Sequence, residues 1–132
     1  VELATVGSLY GFDIDTNHFL GNAPLQAAVE GVLLDHSPTE EEIVSGKLPW
    51  VEVLPKSPLQ PGSQNQFDSA NHEVFSHLRL QIYPDGGVAR FRAYGEVFKQ
   101  WEIVHHHFLI IRLSLPELLK SWICIYNLAA AP

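Results

Sequence analysis

The chain has 132 residues, and its share of hydrophobic residues (46%) and of charged residues (17%) is typical of one folded domain with a hydrophobic core. Its net charge of -7 argues against nucleic acid or an anionic membrane surface as the main partner. The single cysteine, Cys124, excludes an internal disulfide framework and favours a reducing compartment. The first residues lack a basic stretch followed by an apolar run, so we expect a protein that is not secreted.

The first third of the chain predicts strands joined by a polar loop. In "SLYGFDID", the residues Tyr10, Phe12 and Ile14 alternate with the others and would form one apolar face. The segment "DTNHFLGNAP" is rich in turn residues. The segment "LQAAVEGVLL" fits either a buried strand or a short helix, and strand is favoured if the sheet continues.

One short helix is expected in "HSPTEEEIVSGK". Ser37 can serve as the N-cap, Pro38 suits the first helical position, and Glu40 stands where a capping-box carboxylate belongs. Gly46 would end the helix after about two turns. A helix this short is expected to be an insertion between strands.

The middle of the chain again alternates as strands do. "WVEVL" predicts a strand, and Pro55 to Gly62 predicts an extended surface loop. "HLRLQIY" has an inward apolar face, formed by Leu78, Leu80 and Ile82, and an outward face at the surface that includes His77.

A tight turn is expected at "PDGG". Asp85-Gly86-Gly87 would supply the positive φ angles of a hairpin that joins "HLRLQIY" to the next strand. On that next strand Arg90 and Arg92 share the face opposite to Ala89, Phe91 and Ala93. Many short strands with Gly and Pro turns indicate a β-sandwich.

The composition changes after Glu102, and we predict one domain over 1–102 followed by an apolar tail over 103–132. "IVHHHFLIIRL" fits one more strand, and "SLPELLKSWICIYNL" fits a helix. The tail would pack on the sandwich or associate with another surface. Alternate residues such as His105 and His107 share a strand face, but two histidines without a nearby carboxylate or thiolate make a poor zinc site, so we predict no metal site.

Three blocks in order, "GFDIDTNHFLGNAP", "WVEVLPKSPLQPGSQNQFDS" and "SHLRLQIYPDGGVARFRAYG", resemble the allantoicase family over about Gly7 to Gly95, and look more like the second of its two repeats. The resemblance implies an all-β, jelly-roll β-sandwich of the galactose-binding-domain type. It also implies hydrolysis of allantoate to ureidoglycolate and urea. The chain holds one repeat, so the alternative is a binding or assembly module without catalysis.

Allantoate is a small carboxylate with two ureido groups, and arginine can hold a carboxylate through two parallel hydrogen bonds. Arg90 and Arg92 would therefore form a paired anion clamp; the alternative is that both pair with acidic neighbours. Asp85 would contact substrate or, alternatively, cap its own turn.

A second group of candidate residues lies in the loop after the first strand. His18 would act as general acid or base, and Asp15 would orient it or hold the leaving group. Asn17 and Asn22 would contact the ureido groups. The alternative is a network of Asx turns that closes the loop.

The sequence does not indicate a cofactor. The expected partners are a small ureide substrate and either a second repeat or further copies of the chain, with no nucleic acid and no membrane. The expected location is the cytoplasm or the peroxisome.

Overall fold

The computed structural model describes residues 1–98 and the backbone of residues 123–129. Seven strands and one helix occur in these residues: β1 (Glu2–Asp15), β2 (Gln26–Val32), α1 (Glu40–Val44), β3 (Val51–Pro58), β4 (Gln64–Asp68), β5 (Val74–Tyr83), β6 (Arg90–Val97) and β7 (Ile123–Ala129). The predicted all-β jelly-roll sandwich with a short helical insertion is confirmed. The strand prediction for "LQAAVEGVLL" is also confirmed, as β2.

The strands form one antiparallel sheet in the order β3-β2-β5-β1-β6-β7, and β4 pairs with β1. The 14-residue strand β1 organises this sheet. Its first half pairs with β5 and its second half with β4, while β6 runs along its other edge. The sheet therefore curls around β1, and apolar side chains from its two ends meet in one core.

The core consists of buried side chains that the alternation largely predicted. Phe12 and Phe91 stack with ring centroids 5.9 Å apart, and Leu9, Ile14, Phe75 and Leu78 are buried with them. The remaining buried apolar members are Leu3, Ala27, Val29, Val53, Leu54, Leu59 and Ala93. The removal of these apolar side chains from water is the main favourable contribution to the stability of a domain of this size.

The predicted hairpin between "HLRLQIY" and "ARFRAYG" is wrong. β5 and β6 are not neighbours, because β1 lies between them and pairs with both. The segment from Pro84 to Ala89 instead passes the end of β1, where the Ala89 N–H donates to the Asp15 carbonyl at 2.7 Å. Turn residues such as Asp and Gly indicate where the backbone can reverse direction, but they do not determine which strands pair.

The predicted apolar face of β1 is partly wrong. A bulge between Leu9 and Gly11, in the pairing with β6, changes which residues point inward. Leu9 is fully buried, whereas the Tyr10 hydroxyl donates to Glu96 at 2.7 Å near the surface. Beyond the bulge, Phe12 and Ile14 face the core as expected.

The structure corrects the surface position predicted for His77. Its side chain is buried, with Nδ1 2.8 Å from the Ser76 hydroxyl. The packing of the chain start against β5, where the Leu78 N–H donates to the Val1 carbonyl, covers this end of the strand.

The structure corrects two predicted boundaries, the start of α1 and the end of β3. The cap of α1 is Thr39 and not Ser37, and the capping box is completed by Glu42 and not Glu40. The loop predicted from Pro55 begins later, because β3 extends to Pro58. β3 is an edge strand, where a missing N–H costs no ladder bond.

The predicted C-terminal helix over 114–128 is wrong at 123–128, where the backbone is strand β7 and pairs with β6. The rest of that prediction, the strand at "IVHHHFLIIRL" and His105 to His107 lie outside the described residues. The domain boundary at 102 stays a prediction.

Candidate active site

The candidate residues converge where β1 ends and β6 begins. These two strands are antiparallel neighbours, and their register places Asp13 directly opposite Arg92 and Asp15 directly opposite Arg90. Between these pairs Ile14 lies opposite Phe91, and both are buried in the core. Since side chains alternate across a strand, the two aspartates and two arginines share the other face of the sheet.

Arg92 is held by Asp13. Its Nη1 donates to Asp13 Oδ2 at 2.7 Å, and the side chains are 17% and 2% exposed. The hydrogen bond to Asp13 raises the pKa of Arg92 above its ordinary value. Asp13 Oδ1 is buried and has no hydrogen-bond partner among the described residues. For Arg92 the structure therefore contains the pairing with an acidic neighbour that was the alternative to a clamp.

Arg90 has a different environment. The carboxylate opposite to it, Asp15, is buried, and its Oδ1 accepts the Asn17 N–H at 2.8 Å. This bond closes an Asx turn at the start of the loop. Within the described part of the chain, the side chain of Arg90 forms no hydrogen bond or ion pair, and the residue is half-buried.

The loop after β1 begins with a buried, hydrogen-bonded residue and continues to an exposed one. The buried Thr16 accepts the Phe19 N–H on its carbonyl at 3.0 Å, which closes a tight turn around Asn17 and His18. His18 is exposed and has a φ of 72°, in the left-handed region that non-glycine residues seldom occupy. The turn thus presents the imidazole to solvent on a constrained backbone.

Asn65 on β4 anchors the same loop. Its Nδ2 donates to the Ile14 carbonyl at 3.0 Å and lies 3.4 Å from the Thr16 hydroxyl, while its Oδ1 accepts the Gln60 N–H at 2.8 Å. The Thr16 hydroxyl in turn donates to the Gln60 carbonyl at 2.6 Å. Such a satisfied buried network fixes the end of β1 against the loop before β4.

The loop between β5 and β6 packs directly on the loop after β1. The Gly87 N–H donates to the Asn22 carbonyl at 2.8 Å. Gly86 has a φ of 148°, and a Cβ there would lie 2.6 Å from that same carbonyl oxygen. Only glycine permits this approach, which explains the Gly-Gly pair better than a hairpin does.

The structure places Asp85 and Asn22 at the exposed surface of these two loops. Asp85 Oδ1 accepts the Gly86 N–H at 2.8 Å, so the residue caps its own turn as the alternative prediction had it. Asn22 meets the other loop through its backbone carbonyl. Asp15, Asn17, Arg90 and Arg92 are brought together by strand register and by the Asx turn.

Sequence reasoning missed Asp13, Thr16 and Asn65 as contributors to this region. A signal for Asp13 was present: Asp-x-Asp in "DID" and Arg-x-Arg in "RFR" have the same spacing and would face one another if their strands paired. The hairpin prediction concealed this match, because it paired the arginine strand with β5. Thr16 and Asn65 have no comparable sequence signal.

The described residues contain no group of three or more histidine, cysteine or acidic side chains that could hold a metal ion. Nor does any helix among them have the length and apolar character needed to span a membrane.

Comparison with known proteins identifies the family. Residues 1–98 match the model of the allantoicase repeat. The chain belongs to the allantoicase repeat family. It is 42% identical over 104 residues to a probable allantoicase of Pseudomonas fluorescens, a match that covers 79% of this chain and 30% of the relative. It is 39% identical over 104 residues to an allantoicase of Dictyostelium discoideum, with 79% and 28% covered.

The solved structures agree with this family assignment. The crystal structure of allantoicase from Saccharomyces cerevisiae superposes with a TM-score of 0.59 at 32% identity, over 72% of this chain and 26% of that one. A second allantoicase structure superposes with a TM-score of 0.57 at 33% identity. The family resemblance of the three sequence blocks is thereby confirmed. The chain spans about 30% of the length of the curated relatives it matches.

Proposed function

We propose that this repeat contributes to an allantoicase, which hydrolyses allantoate to ureidoglycolate and urea. The proposal is supported by the family assignment together with one observation, the cluster of arginine and aspartate residues where β1 meets β6, with His18 in the loop that begins directly after β1. A small carboxylate with two ureido groups needs a cation, several hydrogen-bonding groups and a proton-transfer group, and the cluster and this loop together contain all three kinds.

The substrate carboxylate would bind beside the arginines of β6, of which Arg92 is also paired with Asp13. Arg90 and Arg92 lie two residues apart on one strand face, so both guanidinium groups are directed to the same side of the sheet. A planar guanidinium can donate two parallel hydrogen bonds to one carboxylate. Asn17, Asn22 and Asp85, on the adjoining loops, would contact the ureido N–H and carbonyl groups.

His18 would supply the proton transfer. In the proposed reaction the oxygen of water forms a bond to the central carbon, and the bond from that carbon to one ureido nitrogen breaks. The departing nitrogen needs a proton and the water must lose one, so urea leaves as a neutral molecule. An exposed imidazole can perform either transfer near neutral pH. Asp15 would keep the loop that carries His18 in place through the bond from the Asn17 N–H.

A second repeat, or another copy of the chain, would complete the site. This part of the proposal is supported by the share of the relatives that the chain covers, about 30%. We place the activity in the cytoplasm or the peroxisome, since the single cysteine suits a reducing compartment. Cell fractionation with an antibody to this repeat would test the location.

The decisive experiment measures urea release from allantoate by a two-repeat protein that carries this repeat. The matched variants are Arg90→Lys and, as a control, Arg79→Lys, because Arg79 is an arginine paired with Glu30 on the far strands β5 and β2. We expect Arg90→Lys to raise KM by about tenfold, the effect of losing one charge-assisted hydrogen bond. Absence of urea release from the folded wild-type protein would refute the proposed activity.

The second candidate is a binding or assembly module without catalysis, since one repeat by itself would supply only the part of the site described above. The same assay on the 132-residue chain alone distinguishes the two. Urea release only after a second repeat is supplied would assign this chain a partial site. Saturable glycan binding without urea release in either form would favour the module.

A further inference from the structure

The two opposed Asp and Arg positions on β1 and β6 differ in one respect that sequence spacing does not reveal. Asp13 and Arg92 form an ion pair, whereas Asp15 and Arg90, in the same register two residues away, do not. We propose that Arg90 is the group that binds a small-molecule carboxylate, and that Asp13 is a positioning residue that holds Arg92 beside it. The identity of the carboxylate as allantoate rests on the proposed function; the division of roles does not.

A third arginine of this sheet, Arg79, also forms an ion pair with the carboxylate directly opposite to it. Arg79 on β5 lies directly opposite Glu30 on β2, and its Nε donates to Glu30 Oε2 at 2.7 Å. The guanidinium of Arg79 also stacks on Trp50, 4.5 Å from the ring centroid. Two of the three arginines on these strands are thus occupied by the acid opposite to them. Arg90 is the exception among the described residues.

The Asp15 side chain bonds to the loop that follows β1 and not to Arg90. The Asp15 Oδ1 atom accepts the Asn17 N–H, and the Asp15 carbonyl accepts the Ala89 N–H at 2.7 Å. Asp15 therefore belongs to the turn that leads into the loop with His18. The Arg90 guanidinium has no hydrogen-bond partner among the described residues, and a ligand carboxylate is an acceptor whose shape and charge match it.

The buried carboxylate of Asp13 is not explained by a contribution to the stability of the fold. Its side chain is 2% exposed, yet Oδ1 has no partner in the described part of the chain. A buried ion pair stabilises a fold weakly or not at all relative to apolar residues, and an unsatisfied buried oxygen adds to the cost. A role in orienting Arg92 accounts for the buried ion pair. Held at one end by Asp13, Arg92 presents a fixed positive charge next to the free guanidinium of Arg90.

The test compares arginine reactivity toward phenylglyoxal, which modifies accessible guanidinium groups, by peptide mass spectrometry on the 132-residue chain. We expect Arg90 to react several-fold faster than Arg92 and Arg79. Asp13→Asn, which retains the shape but removes the charge, should raise the reactivity of Arg92 and leave Arg79 unchanged. Glu30→Gln is the matched control and should release Arg79 only. Equal rates for Arg90 and Arg92 in the wild-type chain would overturn the proposal without any variant being needed.

Ligand protection separates this inference from the proposed function. Acetate and hydantoate, which has one carboxylate and one ureido group, are the probes, and either should slow modification of Arg90 more than that of Arg92. Protection of Arg90 without hydrolysis of allantoate by the two-repeat protein would contradict the proposed function and support the division of roles. Equal protection of both arginines, or of neither, contradicts the division of roles even if allantoate is hydrolysed.

In the two-repeat protein the positioning role predicts a separation of kinetic constants. Asp13→Asn should raise KM severalfold with a much smaller change in kcat, and should have no further effect on KM in an Arg92→Gln background, because Asp13 acts through Arg92. Glu30→Gln should change neither constant. Additive effects of the two substitutions would show that Asp13 does not act through Arg92. If Asp13→Asn fails to fold, Asp13→Glu retains the charge and should preserve the low reactivity of Arg92.

Discussion

Asp15 and Arg90 occupy directly opposed positions on β1 and β6 without forming an ion pair, and Asp15 Oδ1 accepts the Asn17 N–H at 2.8 Å. Two residues along the same strands, Asp13 and Arg92 form an ion pair at 2.7 Å. The two positions differ in that Asp15 ends β1 and bonds into the first turn of the next loop, whereas Asp13 lies inside the strand and bonds to the arginine opposite. Arg90 is thus the arginine of β6 whose side chain has no partner among the described residues.

Replacing His18 tests the proposed proton transfer. His18→Asn keeps a residue that tolerates the φ of 72°, so the free energy of unfolding should change little. In a two-repeat protein kcat should fall by about 100-fold, as expected when a general acid or base is removed. His36→Asn, on the exposed loop before α1, is the control and should leave kcat unchanged. An unchanged kcat for His18→Asn would exclude His18 from the chemistry.

Replacing Asn65 tests the network below the loop. Asn65→Ala removes the acceptor of the Gln60 N–H and the donor to the Ile14 carbonyl, and should lower the free energy of unfolding by about 2 to 3 kcal/mol. Urea denaturation of the 132-residue chain measures this loss. Asn71→Ala is the control, because Asn71 bonds only within its own turn, and should cost less than about 1 kcal/mol. Equal losses would show that the network does not stabilise the fold.

Gly31 tests the tightness of the core. A Cβ at this position would lie 2.6 Å from Cδ1 of Phe75, whose ring is buried, so the ring or the strand must shift. Gly31→Ala should lower the free energy of unfolding by about 1 to 3 kcal/mol, as overpacked cores do. Gly21→Ala is the matched control, with open space at its Cβ, and should change stability by less than about 0.5 kcal/mol. An unchanged free energy of unfolding in Gly31→Ala would mean that the core around Phe75 is less tightly packed than this distance implies.

His77 predicts a pH dependence of folding. Burial lowers the pKa of His77 from its ordinary value of 6.5, with opposition from nearby Glu2. As the pH falls below 6.5, the unfolded chain binds a proton that the folded chain resists, so stability decreases with a slope of at most about 1.4 kcal/mol per pH unit. His77→Gln should flatten this slope in denaturation curves measured between about pH 7.5 and pH 5.5.

His36 provides the opposite case for the same measurement. Hydrogen bonds to Asp35 and Glu42 raise the pKa of His36 above 6.5, so its contribution to stability is complete below 6.5 and is lost as the pH rises through the raised value. His36→Gln should therefore alter the stability profile above pH 6.5, in the opposite sense to His77→Gln, and by little because the residue is exposed. For the preceding prediction, an unchanged dependence of the unfolding free energy on pH in His77→Gln would show that the pKa of His77 is the same in the folded and unfolded chain.

Much of the fold was predictable from alternation and composition. Strand periodicity identified β1, β2, β3, β5 and β6, and the correct faces of Phe12, Ile14, Phe91 and Leu78 followed from the burial of alternate residues. Helix α1 was found from its capping chemistry, although the cap itself moved from Ser37 to Thr39. These features are local, because each depends on residues within a few positions of one another.

The candidate site was only half predictable. The residue types in "DTNHF" and "RFR" indicated where polar chemistry lies, and the family resemblance indicated a reaction. The partners of those residues came from strand order: β1 inserts between β5 and β6, so Arg92 meets Asp13, and Gly86 and Gly87 let one loop pack on another instead of forming a hairpin.

The sequence by itself therefore determined the fold class, most of the core-facing residues and the family, because periodicity and motif residues are properties of short segments. Only the tertiary structure decided which arginine is paired, that His77 is buried, and that β7 forms where a helix was expected. Each of these depends on segments that are distant in the chain, and pairing between distant strands follows from the packing of the whole sheet and not from the preferences of either strand.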